Sequence, residues 1–153
     1  MFGLTSSLYD DLDSETISSL EKAVYLYKIR IFSDSLAIFE SFSAPLRHKP
    51  IIAAENSTAL LTQWRIKNAA SVLDEAILYA EGEDPTFTQP GPYTLLRALR
   101  ARAGYISQGC FLKARDSLRE IKHWLYGTPI ESYTDLQVSI GESGYSKSNT
   151  YSE

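Results

Sequence analysis

A helical spacing of apolar residues recurs along most of this sequence. After Ser14, apolar residues follow one another at alternating intervals of three and four, which places them on one face of an α-helix. The first such stripe consists of Ile17, Leu20, Val24, Tyr27 and Ile31. A second, shorter stripe begins at Leu36, and Pro45 must end or kink it. Two helices joined by a tight turn lie antiparallel, so the pattern predicts a helical hairpin.

The pattern of paired helical segments then repeats. We predict helices over residues 50–63 and 66–80, followed by helices over residues 93–108 and 111–125. Between these pairs, residues 81–92 contain three prolines and two glycines, which predicts a loop insertion. Gly109 suits the C-terminal end of a helix. The chain therefore reads as about three hairpins.

The 153 residues fit one domain with a sizeable core. We predict an N-terminal extension over residues 1–13, a helical-hairpin repeat domain over 14–126, and a mostly disordered C-terminal tail over 127–153, which is poor in aliphatic residues. Each hairpin is too small to bury its own apolar face, so neighbours must cover one another. The expected fold is all-α, a right-handed superhelical stack of about three antiparallel hairpins. A plain bundle of four to six helices also fits the periodicity.

The third hairpin resembles the tetratricopeptide repeat. Five of its residues have the spacing of that family's signature around the turn between its two helices, A and B: Tyr105, Gly109, Phe111, Ala114 and Leu118. The second hairpin matches with Ala69 on helix B and Trp64 at the turn, and the first matches with Ala37 and Phe32 at these positions. The resemblance covers about residues 16–126, and the chain is similar to tetratricopeptide-like proteins common in filamentous fungi.

The resemblance implies a function as well as a fold. In the family, the A helices line a concave groove that holds a peptide or a helix of a partner protein. Carried over by position, the partner-binding residues are Lys22, Leu26, Arg30, Thr58, Leu61, Leu96, Leu99 and Arg100. We therefore expect a non-enzymatic protein–protein interaction module. Because no polar terminal helix caps the stack, we also predict a homodimer.

A second candidate surface is basic. Residues 97–123 hold seven cations against two acids: Arg97, Arg100, Arg102, Lys113, Arg115, Arg119 and Lys122. On helix spacing Arg115, Arg119 and Lys122 lie near one face and Arg97 belongs to another short row, which together form a basic face. An ordinary solvated face explains the same charges. Residues 1–96, with seven cations and thirteen acids, would repel phosphates, which counts against nucleic acid.

Residues that support catalysis or bind metal are sparse. His48 and His123 have no metal-ligand spacing, and Cys110 is the single cysteine, with no base beside it. We predict no enzyme, no metal and no cofactor. The alternative functions are an accessory protein of a biosynthetic pathway, with a small-molecule pocket between hairpins, and nucleic-acid binding through the 97–123 face. No segment has the length of a membrane span or the character of a secretory signal, so the expected location is the cytoplasm, or else the nucleus.

Overall fold

All regular secondary structure in the described residues is helical. The structure, a computed structural model, describes residues 12–83 and 92–119. The helices of these ranges are α1 (Ser14–Lys28), α2 (Phe32–Ser41), α3 (Ala44–Arg47), α4 (Pro50–Thr62), α5 (Ile66–Glu83), α6 (Pro92–Ser107) and α7 (Phe111–Asp116). The all-α prediction is confirmed.

Three sequence predictions extend beyond the residues that the structure describes. Both ends of the predicted loop 81–92 are helical, because α5 continues to Glu83 and α6 begins at Pro92; residues 84–91 lie outside the described part. Helix α7 ends at Asp116, inside the helix predicted over 111–125. The predicted tail 127–153, together with His123 and Lys122, lies outside the described residues.

The helix starts follow from local chemistry. Asp13 caps α1, since its carboxylate accepts a hydrogen bond from the Thr16 amide at 2.7 Å. That bond lowers the pKa of Asp13 below its usual value. Helices α4 and α6 each begin with proline, whose fixed φ suits the first helical turn and whose missing N–H is not needed there.

Helix α4 lies at the centre of the molecule. It packs against α1, α2, α3, α5 and α6, and all but one of the residues from Ile51 to Thr62 are buried. Helices α1, α4 and α6 follow one another as neighbours. Helix α2 packs on α1 and α4, α5 packs on α4 and α6, and α7 packs on α6. Each hairpin thus rests on the next one, as mutual covering of apolar faces requires.

The same three-residue turn closes each hairpin. Its middle residue has a left-handed backbone: Arg30 (φ 68°), Trp64 (φ 58°) and Gly109 (φ 74°). In each turn the next amide donates to the carbonyl five positions earlier, which is the helix-ending bond of a Schellman motif. These bonds run from Ile31 to Leu26 at 2.9 Å, from Arg65 to Leu60 at 3.0 Å and from Cys110 to Tyr105 at 2.8 Å.

The turns set a common register for the hairpins. Arg30 and Trp64 are 34 residues apart, and Gly109 follows 45 residues after Trp64. The fifth residue after each turn centre is small and fully buried, and the ninth is a large, buried apolar residue. The small residues are Ser35, Ala69 and Ala114, and the large ones are Phe39, Leu73 and Leu118.

This register corrects the sequence assignment of the first hairpin by two residues. Phe32 is the first residue of α2 rather than the turn, and Ala37 is exposed rather than packed between helices. Ser35, rather than Ala37, is the small buried residue at this position of the hairpin. The Ser35 hydroxyl donates to the carbonyl of Ala23 at 2.7 Å, so a small polar residue fits the close approach of α1 and α2 without losing a hydrogen bond.

Candidate functional site

The predicted partner-binding residues fall into two groups. Lys22 on α1 and Arg30 in the first turn are exposed, and Leu26 is half-buried. The Arg30 guanidinium lies over the Phe32 ring, 5.3 Å from its centroid. Arg100 on α6 is half-buried and pairs with Asp74 of α5, with 2.8 Å between Nε and Oδ1.

The second group is buried. Thr58, Leu61, Leu96 and Leu99 have no exposed surface and are core side chains in this conformation. Leu96 and Leu99 pack with Ala53 and Ala54 of α4, which explains their burial: α6 lies directly on α4. Their predicted role in partner binding stays a prediction. In this conformation they offer no exposed surface to a partner.

A buried polar network crosses the neighbouring helices α1, α4 and α6. The Tyr27 hydroxyl donates to Glu55 Oε1 at 2.9 Å, and Arg102 Nη2 donates to the Thr58 hydroxyl at 3.2 Å. All of these side chains are buried. From the sequence, Arg102 is predicted to be one of the surface cations, because a run of basic residues does not show that one of them points inward.

Burial shifts the pKa values of both charged groups in this network. Desolvation raises the pKa of Glu55 to about 7, against the opposing effects of the Tyr27 hydrogen bond and the Arg102 charge. Desolvation lowers the pKa of Arg102 to about 10, and the charge of Glu55 opposes this shift. Since none of these groups reaches solvent, we infer that the network fixes the relative positions of the three helices.

Neither His48 nor Cys110 has a predicted catalytic or metal-binding role, and both are partly buried. The His48 ring lies against the Tyr79 ring with centroids 4.8 Å apart, and His48 Nε2 is 3.8 Å from Glu75 Oε2. Cys110 is half-buried in the third turn, immediately before α7. In the described ranges, no three His, Cys, Asp or Glu side chains come together as a metal site would require.

Three of the four residues of the predicted basic face lie in the described part of the chain. Arg97 and Arg100 line one shallow hollow beside α5, of about 520 Å³. Arg115 is exposed on α7, and Arg119 pairs with Asp116, with 3.1 Å between Nη2 and Oδ1. Lys122, the fourth residue, lies outside the described residues, so the basic face stays a prediction.

The structure reveals an exposed apolar surface that the sequence analysis did not identify. Its members surround the three turns: Ile29 (45% exposed), Ile31 (43%), Trp64 (43%) and Leu112 (53%). The indole of Trp64 packs edge-on against the ring of Phe111, with 6.5 Å between the ring centroids. This contact joins the second turn to the third. We call residues 28–31, 63–65 and 108–113 the turn edge.

The first turn lies at the same end of the molecule. Leu36, near the start of α2, packs against the buried cluster that includes Leu60 at the end of α4 and Ala114 of α7. The turn edge is basic as well as apolar, because none of its residues is acidic, whereas Arg30 and Arg65 are exposed on it. The sequence does contain a signal for this surface. Ile29, Ile31 and Trp64 come just after the ends of helices, where the apolar face of a helix does not continue.

Comparison with known proteins adds no relative. No family model, curated protein or solved structure matches the chain. Among the described helices, none has both the length and the apolar character needed to cross a membrane.

Proposed function

We propose that the protein is a non-enzymatic protein-interaction module, built as a right-handed stack of three tetratricopeptide-like hairpins. Three turns of the same backbone geometry, with a small buried residue five positions after each, support the repeat. The contacts also support it, because each hairpin packs on the next through α4 and α6. In the proposed stack, the three turns would lie on one side of the molecule.

The partner surface that the geometry favours is the turn edge. The single observation that carries this choice is the exposure of Ile29, Ile31, Trp64 and Leu112 together at the turns. Contiguous exposed apolar side chains typically mark interaction sites. The groove predicted along the A helices would require side chains that this structure buries, whereas the turn edge is open.

Charge complementarity specifies the partner. The chain has a net charge of −4, yet the turn edge carries Lys28, Arg30, Arg65 and Lys113 without an acid. An acidic segment would meet opposite charge here, and the apolar side chains would pack against its nonpolar face. The proposed occupant is an amphipathic, acidic segment of another protein.

Selection from a library of random twelve-residue peptides tests this proposal. We expect selected peptides rich in Asp or Glu and in large apolar residues. The double variant Ile31→Ser, Trp64→Ser should weaken their binding by about tenfold or more, since two apolar contacts of about 1 kcal/mol each are removed. Leu78→Ser is the matched control, because Leu78 is 67% exposed on α5, outside the turn edge.

Two results would overturn the assignment. One is binding that the double variant and the control reduce equally. The other is a concentration-dependent dimer, seen by sedimentation, that the double variant abolishes; a second copy of the chain would then occupy the turn edge. Circular dichroism checks that each variant keeps its helices.

A further inference from the structure

A cleft separates the first hairpin from the second. It lies between α2 and α5 above the outer side of α4 and has a volume of about 360 Å³. Clefts of a few hundred Å³ have the size of small-molecule sites. Its lining residues are Leu36, Phe39, Glu40, Arg47, Asn56, Leu60, Arg65, Lys67, Asn68, Ser71 and Val72.

The lining combines an apolar floor with a cationic rim. Phe39 and Leu60 are buried, and Leu36 and Val72 are half-buried, so the floor is apolar. The rim carries three exposed cations, Arg47, Arg65 and Lys67. The amides of Asn56 and Asn68 and the hydroxyl of Ser71 add neutral donors to the same space.

The concentration of positive charge here is unusual for this part of the chain. Residues 1–96 hold seven cations against thirteen acids, and three of those seven line this one cleft beside a single acid, Glu40. No ion pair or side-chain hydrogen bond joins Arg47, Arg65 or Lys67 to another residue of the described ranges. The charges are therefore available to an anion.

We propose that this cleft binds a small organic anion, in which a carboxylate or phosphate group is attached to an apolar body. The arginines and Lys67 take the anionic group through charge-assisted hydrogen bonds, the stronger class of such bonds. The apolar body contacts the floor formed by Phe39 and Leu60. Glu40 leaves the cleft with a net positive charge, and a volume of about 360 Å³ suits a compact anion rather than a polyanionic strand.

Titration of the ¹⁵N-labelled protein with phenyl phosphate and with phenylacetate tests the proposal. The probe that binds more tightly shows whether the cleft prefers a phosphate or a carboxylate group. Each is compared with a ligand that lacks one half of the chemistry: inorganic phosphate has no apolar body, and benzyl alcohol has no charge. We expect the better probe to bind at least about tenfold more tightly than either, with amide shifts concentrated in residues 65–72.

The variants separate this site from the turn edge. Arg47→Gln with Lys67→Gln should weaken the better probe by about tenfold, since two charged contacts are lost. Lys113→Gln with Arg115→Gln removes two exposed cations of α7 and should leave the affinity unchanged. The Trp64→Ser variant should also bind the probe normally, because Trp64 does not line the cleft and the variant leaves Arg65, which belongs to both surfaces, unchanged.

Three outcomes would overturn the proposal: no binding of either probe, affinity equal in the wild type and the Arg47→Gln, Lys67→Gln variant, or amide shifts spread over the whole surface. Because Arg47 and Lys67 are exposed, their replacement should leave the fold intact, which the unchanged amide spectrum of the free variant verifies.

Discussion

Ionisation of Glu55 should make the protein less stable as the pH rises through neutrality. The carboxyl is 3% exposed, and burial raises its pKa from 4.5 to about 7. Between these values the folded protein binds a proton that the unfolded chain has lost, so the free energy of unfolding falls as pH rises. The stabilisation is complete below pH 4.5 and is lost as the pH passes about 7.

The magnitude follows from the same values. Each unit of pKa corresponds to about 1.4 kcal/mol, so a rise from 4.5 to about 7 corresponds to about 3 kcal/mol of stability. Arg102 does not add to this slope, because its pKa of about 10 keeps it protonated throughout the window. Total stabilities of domains are about 5–15 kcal/mol, so the effect is large enough to measure.

Urea unfolding of the wild type and of Glu55→Gln at pH values from 4.5 to 8 measures this effect. Glutamine keeps the size of the side chain and an acceptor for Tyr27 but does not ionise. The free energy of unfolding of the variant, minus that of the wild type, should increase by about 3 kcal/mol from the acidic to the basic end. Taking the difference cancels the titration of all other groups.

Tyr27→Phe provides a second, independent check. The Tyr27 hydroxyl donates to Glu55 at 2.9 Å and lowers the pKa of that carboxyl. Its removal should raise the pKa of Glu55 further and move the loss of stability to higher pH. A difference between Glu55→Gln and wild type that stays constant with pH would refute the reasoning.

Two matched pairs test the turns and the close helix contact by urea unfolding. Gly109→Ala should cost about 1–2 kcal/mol through its left-handed φ of 74° alone, because the added Cβ would meet nothing within 4 Å. Gly104→Ala, inside α6 with Arg100 Nη1 at 3.4 Å, should instead stabilise by about 0.5–1 kcal/mol; effects of equal sign would contradict the turn assignment. Ser35→Ala should cost about 1 kcal/mol by leaving the buried Ala23 carbonyl without its hydroxyl donor. Ser41→Ala, at an exposed site, should change stability by less than about 0.5 kcal/mol, and an equal loss at both serines would show that burial is not the cause.

The sequence predicted the helices better than the turns between them. Gly109 marks the third turn because glycine accepts a left-handed backbone without a steric penalty. Arg30 and Trp64 adopt the same conformation in the first two turns, and neither residue type signals it. Ile31 also extended the apolar stripe of α1, so the first turn was placed two residues too late. Tertiary packing, rather than residue preference, determines these two turns.

The burial of Thr58 and Leu61 was not predicted from the sequence for a related reason. Assigning one face to a core assumes that the opposite face meets solvent, which holds for a helix on the outside of a molecule. Helix α4 lies between α1 and α6 and also contacts α2 and α5, so Thr58 and Leu61 are buried together with the rest of the helix. A signal was present in its sequence, IIAAENSTALLT, where small or apolar residues occupy every face. A helix that is apolar all round is a buried one.

Charge counted along the sequence overstates the charge at the surface. Residues 97–123 read as a block with a net charge of +5, yet Arg102 is fully buried. Arg100 and Arg119 are paired with Asp74 and Asp116. Arg30, Arg47, Arg65 and Lys67, which the proposed sites use, lie instead in residues 1–96, where the sequence has an acidic balance. Helix rotation of about 100° per residue sends neighbouring charges to different environments, so a binding surface is defined by the residues that the fold brings together.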